Sequence, residues 1–425
     1  MKLIVEKTEG ICGEANVPSS KSHTIRAFFF ASLAEGKSTL ENVLESEDAN
    51  AAIDACSALG SKIIRKTGNE FEIIGFDGHP NVRRSTINTL NSGTTTNFIA
   101  SVATLANKRI TIDGDESIRR RPVEPLLSAL RDLGATAFSV NNNGCPPIEV
   151  QGKMKGGETT LDCISSQYLS SLLISCPLLD HDTEIRILNI CEVPYVEMTL
   201  KWLDELGIRY DNRHFETISI PGEQRYPSFE RTIPADWSSA TFLLVAGAML
   251  GCNLDVNGLD LKDTQSDREV LNYLRRMGAD IKTSERRIVV NKAQLQGCEL
   301  DLNNTPDALP AMAVIGCYAN GRTVIKNVSH ARLKETDRIS VMAEELSKFR
   351  ARIKETDDGM IIEHSRLKGT KVDGRNDHRV VMALSLAGMI ADGKTEIETA
   401  QAISATFPNY VETLRNLGAR MKMEG

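Results

Sequence analysis

The chain lacks a C-x-x-C pair, and no spacing of His, Cys and carboxylate residues resembles a metal site, so neither a metal nor a disulfide framework is expected. Its nine cysteines are odd in number and scattered, which reads as reduced packing residues. Cys163 and Cys191 lie near segments that carry chemistry below, and each is expected to act as a small buried hydrophobe. No long apolar stretch follows Met1-Lys2, and the longest apolar run, near Ala240 to Leu250, falls short of the ~20 residues of a bilayer span. A cytoplasmic protein with no membrane contact is the expectation. Positive charge is also in deficit: the net charge of −7 argues against a nucleic-acid surface. A phosphate loop is missing too. Gly36-Lys37-Ser38 imitates the end of one, but Ala31 occupies the earlier glycine position and the segment follows a helix pattern instead of a strand. Asn327-Val328-Ser329 fits a glycosylation acceptor only in a secreted chain, which nothing suggests.

What is present is enough for a sizeable core: 425 residues with 41% hydrophobic side chains suggest two or three domains. Basic residues concentrate at Lys21 to Arg26, Arg119-Arg120-Arg121, Lys334 to Arg338 and His378-Arg379. Cations gathered at helix starts in an acidic protein suit a small, multiply charged anion.

The dominant pattern is a sixfold repeat with a period of about 72 residues. Each unit carries a helix opening on small polar residues, a short strand, a second helix and an extended stretch. The openings are Ser20-Lys21-Ser22, Ser92-Gly93-Thr94, Ser165-Ser166-Gln167, Ser238-Ser239, Pro306-Asp307 and Asn376-Asp377-His378-Arg379. The second helices end at Leu59-Gly60, Leu133-Gly134, Leu206-Gly207, Met277-Gly278, Phe349-Arg350 and Leu417-Gly418. Glycine stops a helix because only there is a left-handed cap inexpensive, and the fifth repeat alone lacks it. Strands are predicted between the paired helices at Lys108 to Asp113, Thr183 to Leu188, Asn253 to Val256, Arg322 to Ile325 and Thr395 to Glu398. Each unit is therefore a mixed α/β module.

Repeats one to five finish with an extended segment such as Phe71 to Ile74 or Arg287 to Val290, whereas the sixth stops at Met423-Glu424-Gly425. Met1 to Val5 reads as the strand the sixth repeat needs, so the N-terminus is expected to pair into the C-terminal half. Two similar domains of three modules follow, 15–232 and 233–425 with 1–14, joined by two crossings. A cleft between them is the natural place for a ligand.

The strongest chemical segment is Arg332 to Arg338, in which Thr336 or Asp337 can cap a helix while Lys334 and Glu335 project from the loop before it. A solvated charge run would look the same, but Arg119-Arg120-Arg121-Pro122 holds the equivalent place in the second repeat and suggests a shared target. Asn376-Asp377-His378-Arg379 opens an apolar helix, where charges must be paired or face a cleft; an Asp377 cap and a structural His378 are the plain alternative. Asp307 and the trio Ser165-Ser166-Gln167 can cap helices or bind substrate, and composition does not separate the two.

Taken together these segments resemble the 5-enolpyruvylshikimate 3-phosphate synthases over essentially the whole chain, through Pro18-Ser19-Ser20-Lys21-Ser22, Asn91-Ser92-Gly93-Thr94, Gly114-Asp115-Glu116-Ser117 with Arg121-Pro122, Ser165-Ser166-Gln167, Pro194-Tyr195, Lys334 to Arg338 and Asn376 to Arg379. The resemblance implies two domains, each of three βαβαββ units forming an inside-out α/β barrel, with the active site in the interdomain cleft. It also implies transfer of the carboxyvinyl group of phosphoenolpyruvate to the 5-hydroxyl of shikimate 3-phosphate, with no metal or cofactor, by a monomer that closes its domains over the substrates. In that scheme phosphoenolpyruvate is held by Lys21, Gly93, Thr94, Arg121, Gln167, Arg338, His378 and Arg379. Shikimate 3-phosphate meets Lys21, Ser22, Arg26, Ser165, Ser166, Gln167, Tyr195, Asp307, His330 and Lys334. Lys21 and Asp307 are candidates to take the hydroxyl proton, and Glu335 to protonate the vinyl carbon. Asn97, Glu192, His330 and Ala405 depart from the family pattern and bear mostly on the acceptor. A related enolpyruvyl transferase acting on UDP-N-acetylglucosamine typically has a cysteine in the loop matching Gly114 to Arg121, and this loop has none. Retention of Lys21, Asp307 and Glu335 argues against a binding paralogue without turnover.

Overall fold

Six four-stranded sheets, each with the same strand order, account for most of the regular structure in the computed structural model, which describes all 425 residues. In each sheet an edge strand runs parallel to a central one, and an antiparallel hairpin completes the other side, as in Glu299–Asp301, Arg322–Lys326, Gly359–Glu363 and Arg352–Thr356. Parallel neighbours need a crossover, and in four of the six sheets the buried first helix of the module supplies it. No helix is long and apolar enough to cross a membrane.

The chain divides into two compact units, Met1–Pro18 with Pro234–Gly425, and Ser19–Ile233. Each has its own apolar core. In the first unit the strand Lys2–Glu6 lies between Lys394–Glu398 and Met421–Glu424, antiparallel to both, with Leu3 opposite Ile397 and Met423. The N-terminal segment then gives Ile11–Asn16 to a second sheet, parallel to Gly251–Asn257. In the other unit Glu230–Thr232, last in sequence, pairs parallel with Lys37–Glu41 of its first module. Each unit thus borrows the strand its own module order lacks.

The first helices of the modules are the core. Trp237–Leu250, Leu309–Tyr318 and His378–Ile390 pack on one another in the first unit, and Lys21–Leu33, Gly93–Ala103 and Ser166–Ser175 in the second. Apolar and small residues make up most of them, as burial requires, with Arg26, Asn97 and Arg379 as buried exceptions. Gly388 shows how close the packing is, since a Cβ there would stand 3.0 Å from that of Val5. The second helices are amphipathic instead, as in Glu124–Asp132, whose buried residues are Leu126, Leu127, Ala129 and Leu130.

Most strands form close to where the pattern puts them; Phe71–Ile74 and Thr183–Leu188 match it residue for residue. The glycine stops also hold, with φ of 122°, 98°, 72°, 92° and 108° at Gly60, Gly134, Gly207, Gly278 and Gly418. In the fifth module Arg350 takes the same left-handed conformation with φ of 69°, although its Cβ opposes it. Two helix starts differ from the sequence expectation. Trp237–Leu250 begins before Ser238, capped by Asp236, whose carboxylate accepts from the amides of Ser238 and Ser239. Pro306–Ala308 is a 3₁₀ turn ahead of Leu309–Tyr318, and Asp307 caps neither.

Candidate functional site

In the first unit the site residues gather around one side chain. Arg338, at the first position of Arg338–Lys348, is wholly buried, and Asp337 beside it is the cap, accepting from the Ser340 amide at 3.0 Å. The Arg338 guanidinium donates to three carboxylates: Nη1 to Asp307 Oδ1 at 2.6 Å, Nη2 to Glu335 Oε2 at 2.6 Å and Nε to Asp377 Oδ2 at 2.8 Å. Asp377 works twice, because its Oδ1 also accepts from the amides of Arg379 and Val380 at the start of His378–Ile390. Arg379 Nη2 donates to the second oxygen of Asp307 at 2.8 Å. The plain reading of Asp307 as a helix cap is therefore replaced by a bridge between two arginines, which joins the fifth and sixth modules. Thr336 adds a hydrogen bond to Asp377 Oδ2 at 3.2 Å.

The charges decide the protonation states. Burial alone would lift Asp307, but Arg379 and Arg338 outweigh it and hold the carboxyl well below its ordinary range. Burial works against the Arg338 cation, yet Asp377, Glu335 and Asp307 more than offset that and keep it charged. Asp267 is buried as well, and burial together with the nearby Asp307 charge pushes it up to about 7. It accepts a hydrogen bond from the Ser238 hydroxyl. Sequence reasoning missed Asp267, since nothing in Ser266-Asp267-Arg268 distinguishes it from an ordinary exposed turn. His330 and His378 are buried in the same unit, and Lys334 lies in the loop before Glu335.

In the second unit the sequence-predicted residues fall at the starts of the three buried helices. Ser20, Ser92 and Ser165 are the caps, accepting from the amides of His23, Thr95 and Gln167. Lys21 Nζ lies 3.0 Å from Asp48 Oδ2, a partner the sequence did not reveal because it sits on another helix of the same module. Arg121 Nη2 donates to Asn91 Oδ1 at 2.8 Å and to Ser117 Oγ at 3.0 Å, while its Nε is buried without a hydrogen-bond partner. Gly93 makes room for this side chain, because a Cβ there would meet Arg121 Nη1 at 2.7 Å. Thr94 follows Gly93 in the same first turn. Gln167 Oε1 accepts from Asn97 Nδ2 at 2.8 Å, so Asn97 links the openings of two helices.

Arg26 has a different setting from its neighbours. It is buried, donates to Thr199 Oγ1 at 2.9 Å, to the carbonyls of Ser22 at 3.2 Å and Tyr195 at 3.0 Å, and to Ser170 Oγ at 3.4 Å, and it lies over the Phe98 ring at 5.2 Å. Burial lowers its pKa to about 10. Ser166 Oγ donates to Glu192 Oε2 at 2.7 Å, and Glu192 is itself buried with a left-handed φ of 56°. Cys163 is buried and its thiol is pushed up to about 12 by that burial; Cys191 is partly exposed.

Across residues 5–414 the chain matches the family model of EPSP synthase (3-phosphoshikimate 1-carboxyvinyltransferase). The chain belongs to the EPSP synthase family. Relatives named 3-phosphoshikimate 1-carboxyvinyltransferase include one from Acetivibrio thermocellus, 49% identical over 99% of both chains. Another, from Ruminiclostridium cellulolyticum, is 44% identical over the full length of both. A third, from Methanococcoides burtonii, is 42% identical over 99% of this chain and 98% of its own. Among solved structures, an EPSP synthase from Acinetobacter baumannii superposes with a TM-score of 0.84 at 25% identity, covering all of both chains. The mixed α/β fold is thus that of EPSP synthases.

Proposed function

We propose that this chain transfers the carboxyvinyl group of phosphoenolpyruvate to the 5-hydroxyl of shikimate 3-phosphate, releasing phosphate on the route to chorismate and the aromatic amino acids. The observation that carries this reading is the convergence of Arg338 and Arg379 on Asp307, with Glu335 on the same guanidinium. The reaction needs a proton given to the vinyl carbon, a proton taken from the attacking hydroxyl, and cations for an anion whose charge shifts in the tetrahedral intermediate.

Glu335 is the proposed acid, adding a proton at the methylene carbon as the 5-hydroxyl oxygen bonds to the neighbouring carbon. Asp307 and Lys21 are the candidates to receive the hydroxyl proton. With both arginines on it, Asp307 is a weak base; a phosphoenolpyruvate anion that draws Arg338 and Arg379 onto itself would restore its basicity. Loss of phosphate and of one methyl proton from the intermediate then regenerates the enol ether. Arg121, with Gly93, Thr94, Gln167 and His378, completes the proposed phosphoenolpyruvate set. Ser22, Ser165, Ser166, Tyr195, His330 and Lys334 serve shikimate 3-phosphate, and Arg26 acts by fixing the backbones of Ser22 and Tyr195. The same reading makes the enzyme a cytoplasmic monomer that needs no metal or organic cofactor.

The test is phosphate release from phosphoenolpyruvate with shikimate 3-phosphate, run beside UDP-N-acetylglucosamine. Turnover with shikimate 3-phosphate alone is expected, abolished by Glu335→Gln and by Lys21→Met in variants that still fold. Release with neither acceptor, or wild-type turnover in either variant, would overturn the assignment.

A further inference from the structure

Cys12 and Cys252 are directly opposite each other on neighbouring parallel strands, Ile11–Asn16 and Gly251–Asn257. Both are free and exposed. Paired strands run about 4.8 Å apart, inside the Cα separation of roughly 4.4–6.8 Å that a disulfide spans. A bulge turns Cys252 outward: Asn253, with a φ of 58°, is the extra residue between Cys252 and Leu254, so Leu254 is buried while Cys252 shares the outer face with Cys12. Interaction with Cys252 raises the Cys12 thiol above its ordinary value.

We propose that Cys12 and Cys252 are a reversible dithiol site that reacts with low-molecular-weight disulfides and closes to an intrachain bridge. Either thiolate attacks one sulfur of the small disulfide, forming a mixed disulfide and expelling one thiolate. The other cysteine then attacks the protein-bound sulfur of that mixed disulfide and expels the second. The protein loses two protons and two electrons, and the small disulfide gains them as two thiols.

The bridge would fasten an edge strand to its neighbour, where pairing is otherwise held on one side. It would also enclose Ser19–Ile233 in one covalent loop, since the whole second unit lies between the two cysteines in sequence. Cys163 and Cys191 are the other neighbouring pair, joined by a backbone hydrogen bond, but burial of Cys163 denies it to an attacking disulfide.

The folded, full-length chain is incubated with oxidised glutathione, quenched in acid and unfolded, and its free thiols are titrated and its peptides mapped. Two fewer thiols than the nine of the reduced chain are expected, with the Cys12 and Cys252 peptides joined and released by dithiothreitol. Cys12→Ser and Cys252→Ser are each expected to stop at a single glutathione adduct on the remaining cysteine of the pair. Nine thiols after incubation, a different joined pair, or an open glutathione adduct persisting in the unsubstituted chain would overturn the proposal.

Discussion

Arg338 Nη1 and Asp307 Oδ1 are 2.6 Å apart, and the guanidinium that makes this contact is wholly buried while also serving Glu335 and Asp377. One cation is thus shared by three carboxylates drawn from two modules. Removing it leaves three carboxylates close together with much less compensation, and an under-compensated buried charge is far more expensive than the net worth of the pair. Arg338→Ala is expected to lower stability by about 3–5 kcal/mol, measured by urea unfolding, and to abolish phosphate release. Arg338→Lys keeps the charge but has no planar fork to reach three partners, so it should recover only part of the stability. A loss under about 1 kcal/mol in Arg338→Ala, the range of an exposed pair, would show that the cluster is solvated.

The pH dependence of stability should report the two aspartates in opposite senses. Asp307 is held low, so its contribution is present above the unfolded carboxyl value of about 3.9 and is lost as the pH falls below it. Asp267 is raised to about 7, so its contribution is full below about 3.9 and is lost as the pH climbs toward 7, where the folded form finally ionises. Asp267→Asn should remove that loss, flattening a slope of roughly 1.4 kcal/mol per pH unit between pH about 4 and 7. Urea unfolding of both chains across this range is the measurement, and parallel curves would refute the assignment.

Gly93→Ala is expected to leave the fold intact and to disturb one side chain. The position is helical and tolerates alanine, but the new methyl would meet Arg121 Nη1 at 2.7 Å, and a long side chain yields before backbone does. The anticipated result is a raised KM for phosphoenolpyruvate, on the order of tenfold for a displaced charge contact of about 1.4 kcal/mol, with unfolding changed by less than about 1 kcal/mol. An unaltered KM would detach Arg121 from the substrate.

Arg350 occupies the left-handed stop that glycine holds in the five other modules. Relieving its Cβ should stabilise the chain, so Arg350→Gly is expected to gain about 1 kcal/mol in urea unfolding, from the strain of a non-glycine residue there less the extra freedom glycine brings to the unfolded chain. Destabilisation would mean that the Arg350 side chain contributes more than its backbone costs.

The local grammar was legible in the sequence. Serine caps, glycine stops, largely apolar first helices and alternating strands depend on neighbours within a few residues, and they placed six modules and the helix starts where Lys21, Gly93, Ser165 and Arg379 lie. Where that grammar was ambiguous, at Thr336 against Asp337, the competing caps differ by so little that only the final packing chose between them, and the Asp236 cap before Ser238 was missed.

The partnerships inside the site were decided elsewhere. No spacing links Arg338 to Asp377, Lys21 to Asp48 or Arg26 to Thr199, because each pair is made by the packing of elements far apart in sequence. The same holds for Asp267, whose proton affinity is a product of burial beside Asp307. Short-range sterics and hydrogen bonding are written residue by residue, whereas the pairing and dehydration of charge exist only once distant segments have been brought together.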